Sequence, residues 1–200
     1  MKKLKFKKLL NEYRSLSYEL EYMKEAMVIA NDQFETYYRE YCRKNNISIS
    51  DLETKNKPKV KQIFQKAAID KKKIQEVMSK KDYDHKGVFK EIARKIHPDK
   101  LQSDDPRYEE YETSFKQAAD AMTTGKWGSL FDIAEKYDID IKDYASVNNS
   151  LREDIKRIKV VIEKEKSRYG WLLFDCEDNE NCKENVIKQY LKHLFNLKIT

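Results

Sequence analysis

Glycine and proline are scarce in this chain, at four and three residues out of 200. So thin a supply of turn residues argues against a β-sandwich, a barrel or a disordered tail, and favours long helices. Cysteine is scarce too. Cys42, Cys176 and Cys182 are the only three, and no pair has the two-residue gap of a zinc knuckle or a thioredoxin-like site. Such usage reads as a reducing compartment, in which Cys176 and Cys182 stay thiols although they lie close enough in sequence to pair. No stretch approaches the roughly 20 apolar residues of a membrane span. The opening MKKLKFKKLL has no apolar run behind its lysines before Glu12 arrives, which supports neither a secretory signal nor an organelle address. A soluble, cytoplasmic protein is expected.

Catalytic equipment is also missing. There is no phosphate-cradling glycine loop and no nucleophile elbow, and histidine occurs only at positions 85, 97 and 193. The chain is expected not to be an enzyme and to use no cofactor or metal. Asp82, Asp84 and His85 have metal-ligand chemistry, but no further ligand accompanies them, and a charged turn is the simpler reading.

Charge, by contrast, is abundant: 38% of residues are charged, and the net is only +6. Its distribution is uneven, +7 across residues 51–100 and −6 across 101–150. That polarity suits docking on a charged partner better than general nucleic-acid coating, because the basic residues are diluted by acids and lack interleaved stacking aromatics. Nucleic acid is therefore not the expected partner, and neither is a membrane.

Apolar residues at Phe6, Leu9, Tyr13, Leu16, Leu20, Met23, Met27, Ala30, Phe34, Tyr37 and Tyr41 alternate spacings of three and four over five heptads, a coiled-coil seam. A second stripe, Val147, Leu151, Ile155, Ile158, Ile162, Tyr169 and Leu172, is interrupted by Glu165. The expectation is an antiparallel coiled coil between the two, with a homodimer as the other way to cover the seam. Between them, Pro58 opens an expected helix that ends near Lys80, and a charged turn follows over 81–87. Phe89, Ile92, Ala93 and Ile96 then fall on one helical face, and Pro98 stops that helix. Tyr108, Tyr111, Phe115, Ala118 and Met122 mark the return helix, and Trp127, Leu130, Phe131, Ala134 and Tyr137 a short fourth one. Val186, Ile187, Tyr190, Leu191 and Leu194 mark the last. The organisation read from these signals is an N-terminal coiled-coil helix at 1–46, a module at 58–138 and a C-terminal helical arm at 146–200.

Chemistry concentrates where the 89–96 helix meets its loop, in His97-Pro98-Asp99 followed by Lys100. A bare His-Pro at a helix end is a common stop signal. Here it directly follows a buried-face pattern, and the return helix carries Phe115, Ala118, Ala121 and Met122. This arrangement resembles the J-domain, the helical-hairpin module of DnaJ-like co-chaperones. Phe89, Lys90, Ile92, Ala93 and Lys95 stand where that family's second helix has aromatic, basic, aliphatic, alanine and basic residues. His97, Pro98 and Asp99 match its invariant tripeptide.

The resemblance implies an all-α fold in which a J-domain-like antiparallel hairpin is flanked by long N- and C-terminal helices. It also implies a specialised co-chaperone whose tripeptide loop stimulates ATP hydrolysis by a DnaK-type chaperone. The docking residues would be His97, Pro98, Asp99, Lys100, Lys86, Lys90, Arg94 and Lys95, and the coiled-coil arms would recruit a target. Spacing agrees with that role, since Lys86, Lys90 and Arg94 are four apart and share one helical stripe. The family's glycine–phenylalanine linker, cysteine-rich zinc repeats and substrate-binding β-domains are absent from these 200 residues. The alternative reading is a structural coiled-coil assembly or virion protein with a J-like fold and no chaperone activity.

Overall fold

The computed structural model describes residues 1–52, 54, 85–102 and 104–197. Among these the regular structure is all helical: α1 (Lys2–Lys44), α2 (His85–Ile96), α3 (Tyr108–Thr124), α4 (Trp127–Lys136), α5 (Tyr144–Lys166), α6 (Tyr169–Phe174) and α7 (Glu180–Phe195), with a single 3-10 turn at Pro98–Lys100. The expected helix from Pro58 to Lys80 lies outside the described residues. The chain forms two compact units, Met1–Tyr18 with Met78–Lys159, and Glu19–Val77 with Val160–Thr200.

In the first unit, α2, α3 and α4 pack on one another. Ile92 and Ile96 of α2, Ala118 and Ala121 of α3, and Leu130, Phe131 and Ala134 of α4 enclose a core that also takes Phe6, Leu10 and Tyr13 of α1 and Val147, Leu151 and Ile155 of α5. Gly125 closes α3 in the left-handed conformation (φ 69°), and Lys126 donates its N–H back to the Ala121 carbonyl at 3.1 Å, which frees the chain to reverse into α4. At Gly128 a Cβ would sit 2.2 Å from the Tyr13 ring, so glycine is what lets α4 approach α1 this closely. Tyr13 then bonds Ser129 through its hydroxyl (2.8 Å), and Arg14 bridges Asp132 (2.6 Å) and Glu135 (2.7 Å).

The direction of α5 corrects the sequence reading. Asn148 donates to the Lys2 carbonyl (3.2 Å) and Lys159 pairs with Glu12 (2.7 Å), so α1 and α5 run the same way, not antiparallel. In the second unit Glu19 pairs with Lys166 (2.9 Å) at the same sequence offset. Antiparallel neighbours follow from short connections. Here about a hundred residues separate the two helices, long enough to bring α5 back beside the start of α1. Nor is the α1 face a strict two-position seam: Leu10, Ala26, Tyr38 and Cys42 are buried as well, giving the broader stripe of a helix in a globular core.

In the second unit, Tyr38, Tyr41 and Cys42 of α1 pack with Leu173 of α6 and with Val186, Ile187 and Leu191 of α7. Leu172, expected on the buried stripe, is 36% exposed, because the chain breaks after Lys166 and the new helix turns Leu173 inward instead. Asn179 caps α7 by accepting from the Cys182 N–H at 3.0 Å. Cys176 and Cys182 are joined as a disulfide, with their Cα atoms 5.6 Å apart. This corrects the expectation of free thiols. The turn between α6 and α7 brings the two together, and the cysteine count therefore no longer argues for a reducing compartment. No helix among the described residues is long and apolar enough to cross a membrane.

Candidate functional site

Proline lacks an N–H and pushes its predecessor out of the helical region, so α2 must end before Pro98. His97 is accordingly extended (φ −60°, ψ 129°), and the chain folds at once into the 3-10 turn. His97 caps that turn in two ways. Its Nδ1 accepts from the Asp99 N–H at 3.3 Å, and its carbonyl accepts from the Lys100 N–H at 3.0 Å. One edge of the ring rests on Phe115 of α3, with centroids 4.7 Å apart, and Phe115 in turn stacks on Phe89 of α2 at 5.8 Å. The corner is thereby fixed to both helices.

Asp99 is the exposed member, with its side chain 86% accessible. Its carboxylate lies 3.5 Å from the His97 Nδ1, which leaves most of the acceptor capacity facing solvent. The loop beyond is held by Asp105, which accepts from the backbone N–H of Arg107 at 2.8 Å and from its guanidinium at 3.0 and 2.8 Å. Those bonds hold the Asp105 carboxyl well down, at about 2.

Behind the corner a polar cluster ties α3 to α4. Tyr137 shares hydrogen bonds with the buried Ser114 hydroxyl (3.0 Å) and with Glu110 (3.1 Å), and Lys136 pairs with Glu110 at 2.8 Å. The Lys136 ammonium, with the Tyr137 hydroxyl, keeps the Glu110 carboxyl below its ordinary range.

The basic residues separate into two groups. Lys86, Lys90 and Arg94 are exposed on α2 at successive turns, and Arg94 is engaged by Glu91 at 2.6 Å. Lys86 and Lys90 make no ion pair among the described residues. Lys95 and Lys100 are turned to backbone instead: Lys95 donates to the Tyr137 carbonyl and Lys100 to the Arg94 carbonyl. Both ammoniums thus sit at the ends of helices, where the unsatisfied carbonyls carry partial negative charge.

His85 and Gly87 lie inside α2, so the helix starts earlier than the expected charged turn allows. Asp82 and Asp84 lie outside the described residues. His85 is buried beside Trp127 (4.1 Å between ring centroids) and Phe131 (5.1 Å), with Nε2 3.0 Å from the Ser150 hydroxyl. Among the described residues no group of three His, Cys, Asp or Glu side chains is placed to hold a metal ion.

Sequence reasoning missed Glu91, whose position three residues before Arg94 was the available signal. It also missed Tyr137 and Glu110, whose meeting depends on how α3 and α4 pack. What the corner offers chemically is recognition: a solvated carboxylate on a rigid turn, an imidazole edge and a short row of cations. No family model, curated protein or solved structure matches this chain.

Proposed function

We propose that this chain is a specialised J-domain co-chaperone that stimulates ATP hydrolysis by a DnaK-type chaperone. The reading rests on the motif itself and is supported chiefly by the corner, where Asp99 stands exposed on a turn locked by His97, Pro98 and Phe115, beside the Lys86–Lys90–Arg94 stripe. In this reading the packed pair α2 and α3 is the J-like hairpin.

The work is division of labour between two electrostatic features. Lysines on an exposed stripe raise the encounter rate with an acidic patch and contribute little once the complex has formed. Asp99 does the opposite: its carboxylate accepts a two-pronged bond from an arginine of the partner, which fixes the orientation that triggers hydrolysis. Removing one member of a desolvated charge pair costs about 2–5 kcal/mol, a loss of ~30-fold or more in affinity. Lys95 and Lys100, exposed as well, belong to the proposed docking set, and their ammoniums also meet the Tyr137 and Arg94 carbonyls. The chemistry of hydrolysis belongs to the partner.

The test is a steady-state ATPase assay with the chaperone of the source organism. Wild type stimulates turnover, whereas Asp99→Asn, an exposed change, and His97→Gln, whose fold is checked by circular dichroism, lose the stimulation. Equal stimulation by all three, or none by wild type, would contradict the proposal.

A further inference from the structure

In the second unit, the exposed side of α1 and the helix α6 flank a groove of about 790 Å³. Its walls are aromatic, formed by Tyr22, Tyr37, Trp171 and Phe174. Tyr22 is 59% exposed, and Trp171 lies against Phe174 with centroids 5.6 Å apart. A second depression of about 500 Å³ shares Tyr22, Trp171 and Asp175 and adds the apolar side chains of Met23 and Leu172 and the Lys166–Glu19 ion pair (2.9 Å), so the trough is continuous.

The rim is acidic. Asp32, Glu40, Asp175, Glu177 and Asp178 all line the larger groove, and of these Asp32, Glu40, Glu177 and Asp178 make no ion pair among the described residues. Among the described residues the one cation lining it, Lys183, is already held by Glu180 at 3.4 Å and rests over the Tyr37 ring, 5.8 Å from its centroid. That internal contact displays the chemistry the walls accept, an alkylammonium on a tyrosine face beside carboxylates. The placement is unusual for a chain whose net charge is +6. Among the described residues, negative charge has been gathered around an apolar floor, and the two cations of the trough, Lys183 and Lys166, are already held by Glu180 and Glu19.

We propose that this groove binds a lysine- and arginine-rich segment of a partner protein. Aliphatic stems would lie along Tyr22, Trp171 and Leu172, with the ammonium or guanidinium heads reaching the carboxylates of the rim. The identity of that partner as the recruited target rests on the co-chaperone reading, but the binding itself does not. A nucleic acid is repelled by the same rim. An acidic or neutral peptide would leave the carboxylates without counter-charge.

The experiment uses the full chain and a fluorescein-labelled twelve-residue peptide alternating lysine and leucine, with a glutamate–leucine peptide of equal length as control, read by anisotropy. The basic peptide binds with saturation, the control does not, and raising the salt weakens binding at least tenfold. Tyr22→Ser and the double variant Glu40→Gln, Asp178→Asn, exposed changes whose fold is checked by circular dichroism, each weaken it at least fivefold. The same variants stimulate the chaperone's ATPase as wild type does, and Asp99→Asn binds the peptide normally, which separates this proposal from the one it extends. Equal affinity for both peptides, or unchanged affinity in the groove variants, would overturn it. So would a concentration-dependent dimer, seen by light scattering, that excludes the peptide.

Discussion

Asp99 and Asp154 show how two carboxylates in one unit are put to opposite uses. Asp99 is left in water on a braced turn, where a partner can reach it. Asp154 is buried, accepting the Gly128 N–H at 2.7 Å and pairing with Arg157, whose guanidinium pKa is pushed down by burial. Asp154→Ala therefore orphans a backbone donor and a half-buried cation, and is expected to cost about 3 kcal/mol in urea denaturation, whereas Asp99→Asn is neutral within about 0.5 kcal/mol. Gly128→Ala drives a methyl into the Tyr13 ring and should cost about 1–3 kcal/mol by the same measurement. The loop after the corner gives a pH prediction. The Asp105 carboxyl is depressed by Arg107, so its contribution is present above the ordinary carboxylate range and is lost only as pH falls through about 2. Following the Arg107 amide by NMR from pH ~5 down to ~2 checks this, and a transition at the unperturbed aspartate value of ~3.9 would contradict it.

The body and end of helix α2 are legible in the sequence because what defines them is local: Phe89, Ile92 and Ile96 set one face, and Pro98 ends it, whereas its start at His85 falls inside the expected turn. The resemblance also counts Lys95 and Lys100 among the docking residues. Their carbonyl partners, on Tyr137 and Arg94, come from packing and from the turn, which no helical spacing encodes. The direction of α5 was not legible either, since heptad stripes are alike read from either end and a connection of about a hundred residues leaves both orders open. Glu12→Cys with Lys159→Cys tests the observed order. A short bismaleimide should join them rapidly, while Glu12→Cys with Asn149→Cys should stay unjoined, and the reverse would contradict the parallel register. The Cys176–Cys182 pair is visible as two cysteines with five polar residues between them, and only the compartment argues against it. Closing so short a loop stabilises by about 2 kcal/mol in the chain-entropy picture, so reduction should lower the denaturation midpoint, with the mass rising by the two hydrogens gained.

For the molecule as a whole, the uneven charge is more informative than the net of +6. Positive charge lies exposed along α2 in the first unit, and carboxylates ring the aromatic groove of the second, so the described residues of the two units present surfaces of opposite sign. Attraction of the α2 stripe to an acidic patch is screened by salt, and encounter with the chaperone should slow steeply as ionic strength rises. Single-turnover ATP hydrolysis by that chaperone, titrated with the full chain and its variants, separates the two roles assigned to the corner and its stripe. Lys86→Ala with Lys90→Ala should raise the concentration needed for half-maximal acceleration while leaving the plateau rate intact, and Asp99→Asn should lose the plateau at every concentration. A plateau preserved in Asp99→Asn would show that the corner does not trigger hydrolysis.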